Sequence, residues 1–384
     1  CIIRKEKLMR NVLIISFSPV SKDPRVRRQI EYYSKNNKVS VIGFSNPNIN
    51  GINFYEIEQE RKNWIWYFKL LFLLFRLYGI YNVFKKEYQQ VKSLKNQIPY
   101  PEIIIANDHD TLKSALIFHS KKSVLIFDAH EYSPEENTDS LKWRILLQGF
   151  NIHNIKKHAK KAELMTTVCQ SISKKYFDEF QLKSSLILNA PFQNISTIHV
   201  SNDDSIKILH HGLALESRHI ENMIFMCDFL DSRFTLDLML VPSKLDYYES
   251  LIKLCESRKN VRIIEPVNFE QIIPFSTYYD IGLFLLEPSN FNYKYALPNK
   301  FFEYIASNLT LAIGPSEEMV KIVKKYELGV LAKSFKPEDL ALELNNLTKE
   351  KIYYHKMKCN SAFKELSSYS GFKDMDKTIE NYLK

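Results

Sequence analysis

A chain of 384 residues is too long for a single hydrophobic core and suits two domains, while 45% apolar and 25% charged residues exclude a disordered, collagenous or coiled-coil protein. The formal net charge of +9 hides a division: residues 1–200 carry 30 Lys and Arg against 18 Asp and Glu, and residues 201–384 carry 23 against 26. A surplus confined to one half suits an anionic membrane or a phosphorylated partner, and with no recognised reading motif beside it nucleic acid is excluded as a partner.

In chain order, β-branched runs alternate with longer amphipathic stretches. The runs predict strands at 11–17, 39–44, 102–106, 123–127, 164–168 and 185–188. After Asn189-Ala190-Pro191 comes the polar stretch FQNISTIHVSNDDS, with the composition of a linker. The pattern then restarts at SIKILHH and continues at 236–241, 261–265, 281–286, 309–313 and 329–332. Strands separated by helical lengths imply parallel sheets with helices on both faces. The expected architecture is therefore α/β, with two doubly wound Rossmann-like domains. These are an N-terminal domain at 1–189, a linker at 190–205, a C-terminal domain at 206–365, and a last helix at 366–384 that packs back on the N-terminal domain. Five scattered cysteines without a C-x-x-C pair exclude a disulfide framework and a zinc site, and read as a reducing cytoplasm. The strand-like NVLIISF begins almost at once, so no export signal is expected.

One segment breaks the rhythm. Residues 61–95 hold eight Lys and Arg against one Glu, with charge-free runs of at most eight residues. A bilayer span needs about 20, so this segment does not cross a membrane. Lys62, Lys69 and Arg76 recur every seven residues and would form a basic stripe on a helix, beside an aromatic face carrying Trp64. Such a helix suits the surface of an anionic membrane, and these four residues are the membrane-contact candidates.

In an open parallel sheet, ligands bind where the strands end. S-P-V-S-K-D-P-R-V-R-R follows the first strand: Asp23 is placed to cap a helix opened by Pro24, and Arg25, Arg27 and Arg28 crowd its first turn, where cations call for a nearby anion. A-N-D-H-D-T-L holds a D-x-D, but Asp110 is placed as a helix cap and no metal is expected. F-D-A-H-E-Y-S-P-E-E concentrates Asp128, His130, Glu131, Glu135 and Glu136 at one strand end, with His130 able to exchange a proton near neutrality. In the second half, H-H-G-L-A-L-E-S-R offers Gly212 for close backbone approach and Arg218 for an anion. L-P-N-K-F-F-E-Y opens a helix at Pro298 with Lys300 in its first turn and Glu303 on the same face. A cation there suits a diphosphate, and a carboxylate one turn deeper suits the paired hydroxyls of a ribose. G-x-G-x-x-G, G-x-x-x-x-G-K-[ST] and G-x-S-x-G do not occur.

These five stations, in this order from Asn11 to about Leu331, resemble those of the GT-B glycosyltransferases, specifically glycosyltransferase family 4. The resemblance implies two domains facing across a cleft and a nucleotide-diphosphate sugar as donor substrate. It also implies a glycan or lipid-linked saccharide acceptor, transfer with retention of configuration, no cofactor or metal, and a role in surface polysaccharide assembly at the inner face of the cell membrane. Lys300 and Arg218 would contact the donor diphosphate with Gly212 and Asn299 beside them, Glu303 the ribose, and His130 the transferred sugar. Asp23, Arg25 and Glu131 fall on the acceptor side. The chain departs from the pattern at Tyr295, where the first of two paired glutamates belongs, and at Leu213, where an arginine belongs. A nucleotide-sugar 2-epimerase and a non-catalytic scaffold of the same fold are the rival readings.

Overall fold

In the computed structural model, which describes residues 9–61, 64–199 and 204–383, each predicted apolar run forms a strand. The first sheet contains β1 (Asn11–Pro19), β2 (Lys38–Phe44), β3 (Ile52–Glu56), β4 (Ile103–Asn107), β5 (Val124–Ala129), β6 (Leu164–Thr167) and β7 (Ser185–Leu186), in the order β3-β2-β1-β4-β5-β6-β7. The second contains β8 (Ile206–Ala214), β9 (Phe234–Pro242), β10 (Val261–Ile264), β11 (Ile281–Phe284), β12 (Thr310–Ile313) and β13 (Gly329–Leu331), in the order β10-β9-β8-β11-β12-β13. The strand pairs run parallel in both. Helices cover both faces, so the central strands are buried on both sides and read as unbroken apolar runs. Strand β3 had no such signal, because at the sheet edge its INFYE stays half exposed.

The chain divides into two units, Cys1–Ile187 with Tyr369–Lys384, and Leu188–Ser368. The last helix, Ser368–Tyr382, is part of the first unit: Phe372 stacks on Tyr32 at 4.9 Å, the Tyr32 hydroxyl donates to Asp376 (3.0 Å) and Arg10 pairs with Glu380 (2.8 Å). Residues 190–199 have no regular structure and lie along the second unit, where the Ile195 N–H donates to the Ala306 carbonyl (3.0 Å) and Asn308 donates back to Ile195 (2.7 Å).

The segment 61–95 differs from its expected form. It folds as three short helices, Trp64–Leu74, Tyr78–Phe84 and Lys86–Ser93, and Lys62 lies outside the described residues. The basic stripe does not form. Lys69 is only 8% exposed, its ammonium turned inward onto the Glu60 carboxylate and the Phe84 carbonyl. A free carbonyl at a helix end together with a carboxylate is enough to draw in the one cation of an otherwise apolar helix. Arg76 lies beyond the end of that helix in a left-handed conformation (φ 57°) and is exposed, as is Trp64. Among the described residues, no helix is long and apolar enough to cross a membrane.

Candidate functional site

Strand order reverses between β1 and β4 in the first sheet and between β8 and β11 in the second. The crevices beyond the carboxyl ends of those strands are where side chains of such sheets converge on ligands.

In the first unit, Asp23 caps the helix Pro24–Ser34. Its carboxylate accepts the N–H of Arg25 (3.1 Å) and of Val26 (3.2 Å), and the Ser18 hydroxyl (2.6 Å). The cap leads Arg25 under the sheet end, where it is 4% exposed and clamps Asp128 with two hydrogen bonds (Nε to Oδ2 2.7 Å, Nη2 to Oδ1 2.5 Å) while Nη1 donates to the Ile187 carbonyl (2.9 Å). The guanidinium of Arg25, expected on the acceptor side, thus turns inward onto Asp128 and Ile187. Gln29, one turn on, donates to Asp128 (2.6 Å) and exchanges hydrogen bonds with Asn107 (2.9 and 3.0 Å), and Thr166 also bonds Asp128. Burial opposes charge on Asp128, but the Arg25 guanidinium outweighs it and holds the carboxyl well below the usual range.

His130 stands between two carboxylates. Its backbone N–H donates to Asp108 Oδ1 (3.1 Å), Nδ1 lies 3.3 Å from Asp108 Oδ2, and Nε2 lies 3.0 Å from Asn107 Oδ1 and 3.3 Å from Asp128 Oδ2. Burial works against protonation, yet Asp108 and Asp128 prevail and push the imidazole up to about 9, so near neutrality it is a cation that donates. Asp108 holds a left-handed conformation (φ 61°), and burial raises its carboxyl to about 6 against the pull of His130. Ser16, Ser18, Asp108, His130, Glu131 and Glu136 line a cavity of about 260 Å³ at this sheet end, with Glu131 exposed at its rim. Asp110 does not cap a helix. It pairs with Lys85 (3.4 Å), and the helix Leu112–Ala115 starts at Thr111, whose hydroxyl donates to the Asn107 carbonyl (2.8 Å). Among the described residues no group of three or more His, Cys, Asp or Glu is arranged to hold a metal ion.

In the second unit, Gly212 near the end of β8 has φ +138°, and a Cβ there would stand 2.7 Å from the Lys300 ammonium. The missing side chain is what admits Lys300. Lys300 enters from the first turn of the helix Asn299–Ala306 and is 7% exposed; its Nζ lies 3.4 Å from His210 Nε2 and 5.5 Å above the Phe284 ring. Among the described residues no carboxylate lies within ion-pair distance of it. Burial, and then the charge of Arg218, depress its pKa well below the ordinary lysine value. His210 donates from Nδ1 to the Leu283 carbonyl (2.9 Å), which leaves Nε2 as a lone pair toward Lys300. Burial and Lys300 keep both His210 and His211 neutral. His211 Nε2 is 3.5 Å from Glu303 Oε2, and both side chains are buried. The Tyr304 hydroxyl accepts the His211 N–H (3.2 Å) and donates to Leu283 (3.4 Å). Arg218 is half-buried and donates to the Leu213 carbonyl (3.4 Å), Asn299 opens the helix half-buried, and Tyr295 packs at a tilt against Phe291 with ring centroids 4.7 Å apart, an aromatic ring where the resemblance led one to expect a second carboxylate. Two cations and a helix N-terminus converging on one carboxylate make a site short of negative charge.

Sequence reasoning reached Gly212, Arg218, Lys300 and Glu303 and brought them to one place, as the structure does. It missed Gln29, Asn107, Thr166, His210 and His211. The doublet His210-His211 was the available signal.

No protein-family model and no curated protein sequence matches the chain. Solved structures do match in three dimensions. A TarM variant from S. aureus, in complex with fondaparinux, alpha-GlcNAc-glycerol and UDP, is 9% identical with a TM-score of 0.71, over 97% of this chain and 100% of that one. HepE from Anabaena, with UDP and glucose, is 11% identical with a TM-score of 0.69, over 97% and 99%. A UDP-forming alpha,alpha-trehalose-phosphate synthase from Burkholderia vietnamiensis is 8% identical with a TM-score of 0.68, over 97% and 100%. The shared fold is the GT-B fold of glycosyltransferases. In the GT-B frame, the two sites above occupy the carboxyl ends of the two sheets, one in each unit.

Proposed function

We propose that this protein is a glycosyltransferase that moves a sugar from a nucleotide-diphosphate sugar to a glycan or lipid-linked saccharide, with retention of configuration. On this reading it works in surface polysaccharide assembly at the inner face of the cell membrane. The observation that carries the reading is the buried Lys300, held at a helix N-terminus with no carboxylate at ion-pair distance among the described residues, beside a glycine where a Cβ would collide with it. A cation left so desolvated is stabilised by a multivalent anion, and a diphosphate fits the space shared with Arg218.

As the sugar C–O bond to the diphosphate breaks, charge gathers on the leaving phosphate oxygen. Lys300, Arg218 and the first N–H groups of the helix Asn299–Ala306 are fixed donors for that charge, so a metal ion is not needed for it. Glu303, with neutral His211 beside it at 3.5 Å, accepts the ribose hydroxyls, and Asn299 and Gly212 border the same space. The acceptor lies in the pocket of the first unit, beside Glu131 and Asp108. His130, a cation near neutrality, donates a hydrogen bond to the sugar in transit and does not abstract a proton. Asp23 serves that pocket as the cap that positions Arg25. Retention and the polysaccharide role rest on the likeness to glycosyltransferase family 4. UDP, held by the TarM and HepE structures, is the first nucleotide to try. Titrating Lys300→Ala and Glu303→Ala with UDP-sugars is expected to show an affinity loss of about tenfold or more in each, since each removes a charge-assisted contact. Unchanged affinity in both would overturn the donor assignment.

A further inference from the structure

His210, on β8 and almost fully buried, faces Lys300 with a lone pair rather than a hydrogen. Its Nδ1 donates to the Leu283 carbonyl on the neighbouring strand β11 (2.9 Å), so Nε2 is left to accept, and Nε2 lies 3.4 Å from Lys300 Nζ. Among the described residues this is the one hydrogen bond of the Lys300 side chain, and nothing else around it supplies a counter-charge at ion-pair distance. On one side is the Phe284 ring, 5.5 Å from Nζ. On the other is a second cation: the point where a Gly212 Cβ would stand is 2.7 Å from Nζ and 3.6 Å from Arg218 Nη1, so amine and guanidinium flank one gap. Glu303, one turn along the same helix, has His211 Nε2 at 3.5 Å instead.

The titratable and charged groups facing the amine are thus His210 and His211 from β8, Arg218 from the turn that follows, and Glu303 from its own helix. An ammonium in this place holds three N–H donors against one acceptor, out of water and beside a guanidinium. A group so placed gives up its charge rather than bear the desolvation. Arg218 keeps its proton, as guanidinium groups in proteins do. The amine does not: burial, and then Arg218, lower its pKa well below the lysine value and outweigh the opposite pull of Glu303.

We propose that the empty site holds Lys300 as a neutral amine positioned by the lone pair of His210, and that the ammonium forms only as a diphosphate enters, so that donor binding takes up one proton from solvent. The inference rests on the reading of this site as one for a nucleotide diphosphate. No covalent bond between heavy atoms changes: the proton adds to the Nζ lone pair, and the phosphate oxygens become its counter-charge. His210 is a positioning residue. It aims the amine at the gap beside Gly212 while the site is empty and stays neutral throughout, since a protonated ring would turn a donor toward Lys300. The protein thereby avoids a buried unpaired charge until the anion that needs it arrives.

Calorimetric titration of the full chain with UDP at pH 8, where a terminal phosphate with a second pKa of about 6 is already ionised, is run in buffers of different ionisation heat. The dependence of the measured heat on the buffer is expected to give uptake of about one proton per UDP bound, and affinity is expected to fall by up to about tenfold from pH 8 to pH 9. In Lys300→Met, which keeps the volume and loses the amine, the uptake is expected to vanish with an unchanged circular dichroism spectrum. In His210→Gln the uptake is expected to persist on Lys300 while affinity falls severalfold, the loss of one hydrogen bond. A second measurement needs no UDP: in the free protein with carbon-13 lysines, the Cε resonance missing from Lys300→Met is expected to titrate well below the ordinary value of about 10.4. UDP binding without proton uptake, uptake that survives in Lys300→Met, or a Lys300 resonance titrating at its ordinary value overturns the proposal. If UDP does not bind at all, the donor reading fails, and the resonance titration alone decides whether the empty site holds a neutral amine.

Discussion

His130 owes its proton to neighbours that other strands supply. Strand register sets Asn107 opposite Asp128 and Asp128 opposite Thr166, so three adjacent strands present one polar row, into which Arg25 and Gln29 reach from the helix Pro24–Ser34. With its pKa raised from an ordinary value of about 6.5 to about 9, the imidazole binds its proton more tightly folded than unfolded. The stabilisation is therefore full below pH 6.5, fades as pH rises, and is gone above 9. The urea midpoint of the wild type minus that of His130→Gln is expected to shrink across that interval. An NMR titration placing the His130 ring at its ordinary value would overturn this. The cluster of ionisable groups around His130 was legible in the sequence because it is local. The Arg25–Asp128 clamp was not, since its partners stand 103 residues apart and meet only once β1 and β5 take their places in the sheet.

At the scale of elements, the buried strands were legible because parallel strands covered on both faces have to be continuously apolar, and β3 escaped because an edge strand does not. Helix faces were harder to assign. The seven-residue spacing of Lys62, Lys69 and Arg76 gave a stripe only on one unbroken helix, whereas the chain turns at Arg76, and Glu60 lies before the helix where periodicity does not register it. The donor-side element is more exacting. β8 and the helix Asn299–Ala306 approach closely enough that Gly212 and Lys300 share one space, in a backbone conformation that L side chains rarely adopt. Gly212→Ala is expected to displace the ammonium and strain the strand end by about 1–3 kcal/mol, weakening UDP-sugar affinity by about tenfold or more while leaving the first unit's stability as it was. Full affinity in the alanine variant would show that Lys300 need not sit where the glycine admits it.

For the whole molecule, the path of the chain matters as much as its sheets. The polypeptide leaves the first unit at Ile187, builds the second, and returns at Tyr369 to lay a helix on the first, burying Phe372, Met375 and Ile379. Each unit has its own parallel sheet, so a ligand that binds one is expected to stabilise that one, by about 2.7 kcal/mol at a hundredfold excess over its Kd. Hydrogen exchange of the full chain with UDP is expected to slow in peptides covering β8, β11 and the helix Asn299–Ala306, and to leave those covering β1, β4 and β5 unchanged. The converse follows from the returning helix. A chain ending at Ser368 exposes the surface around Tyr32 and Tyr33, so exchange in β1 and β2 is expected to rise while the UDP-dependent protection of β8 survives. Loss of that protection together with the first unit's would mean that the two sheets fold as one cooperative body, and the donor site would then have to be understood as a property of both.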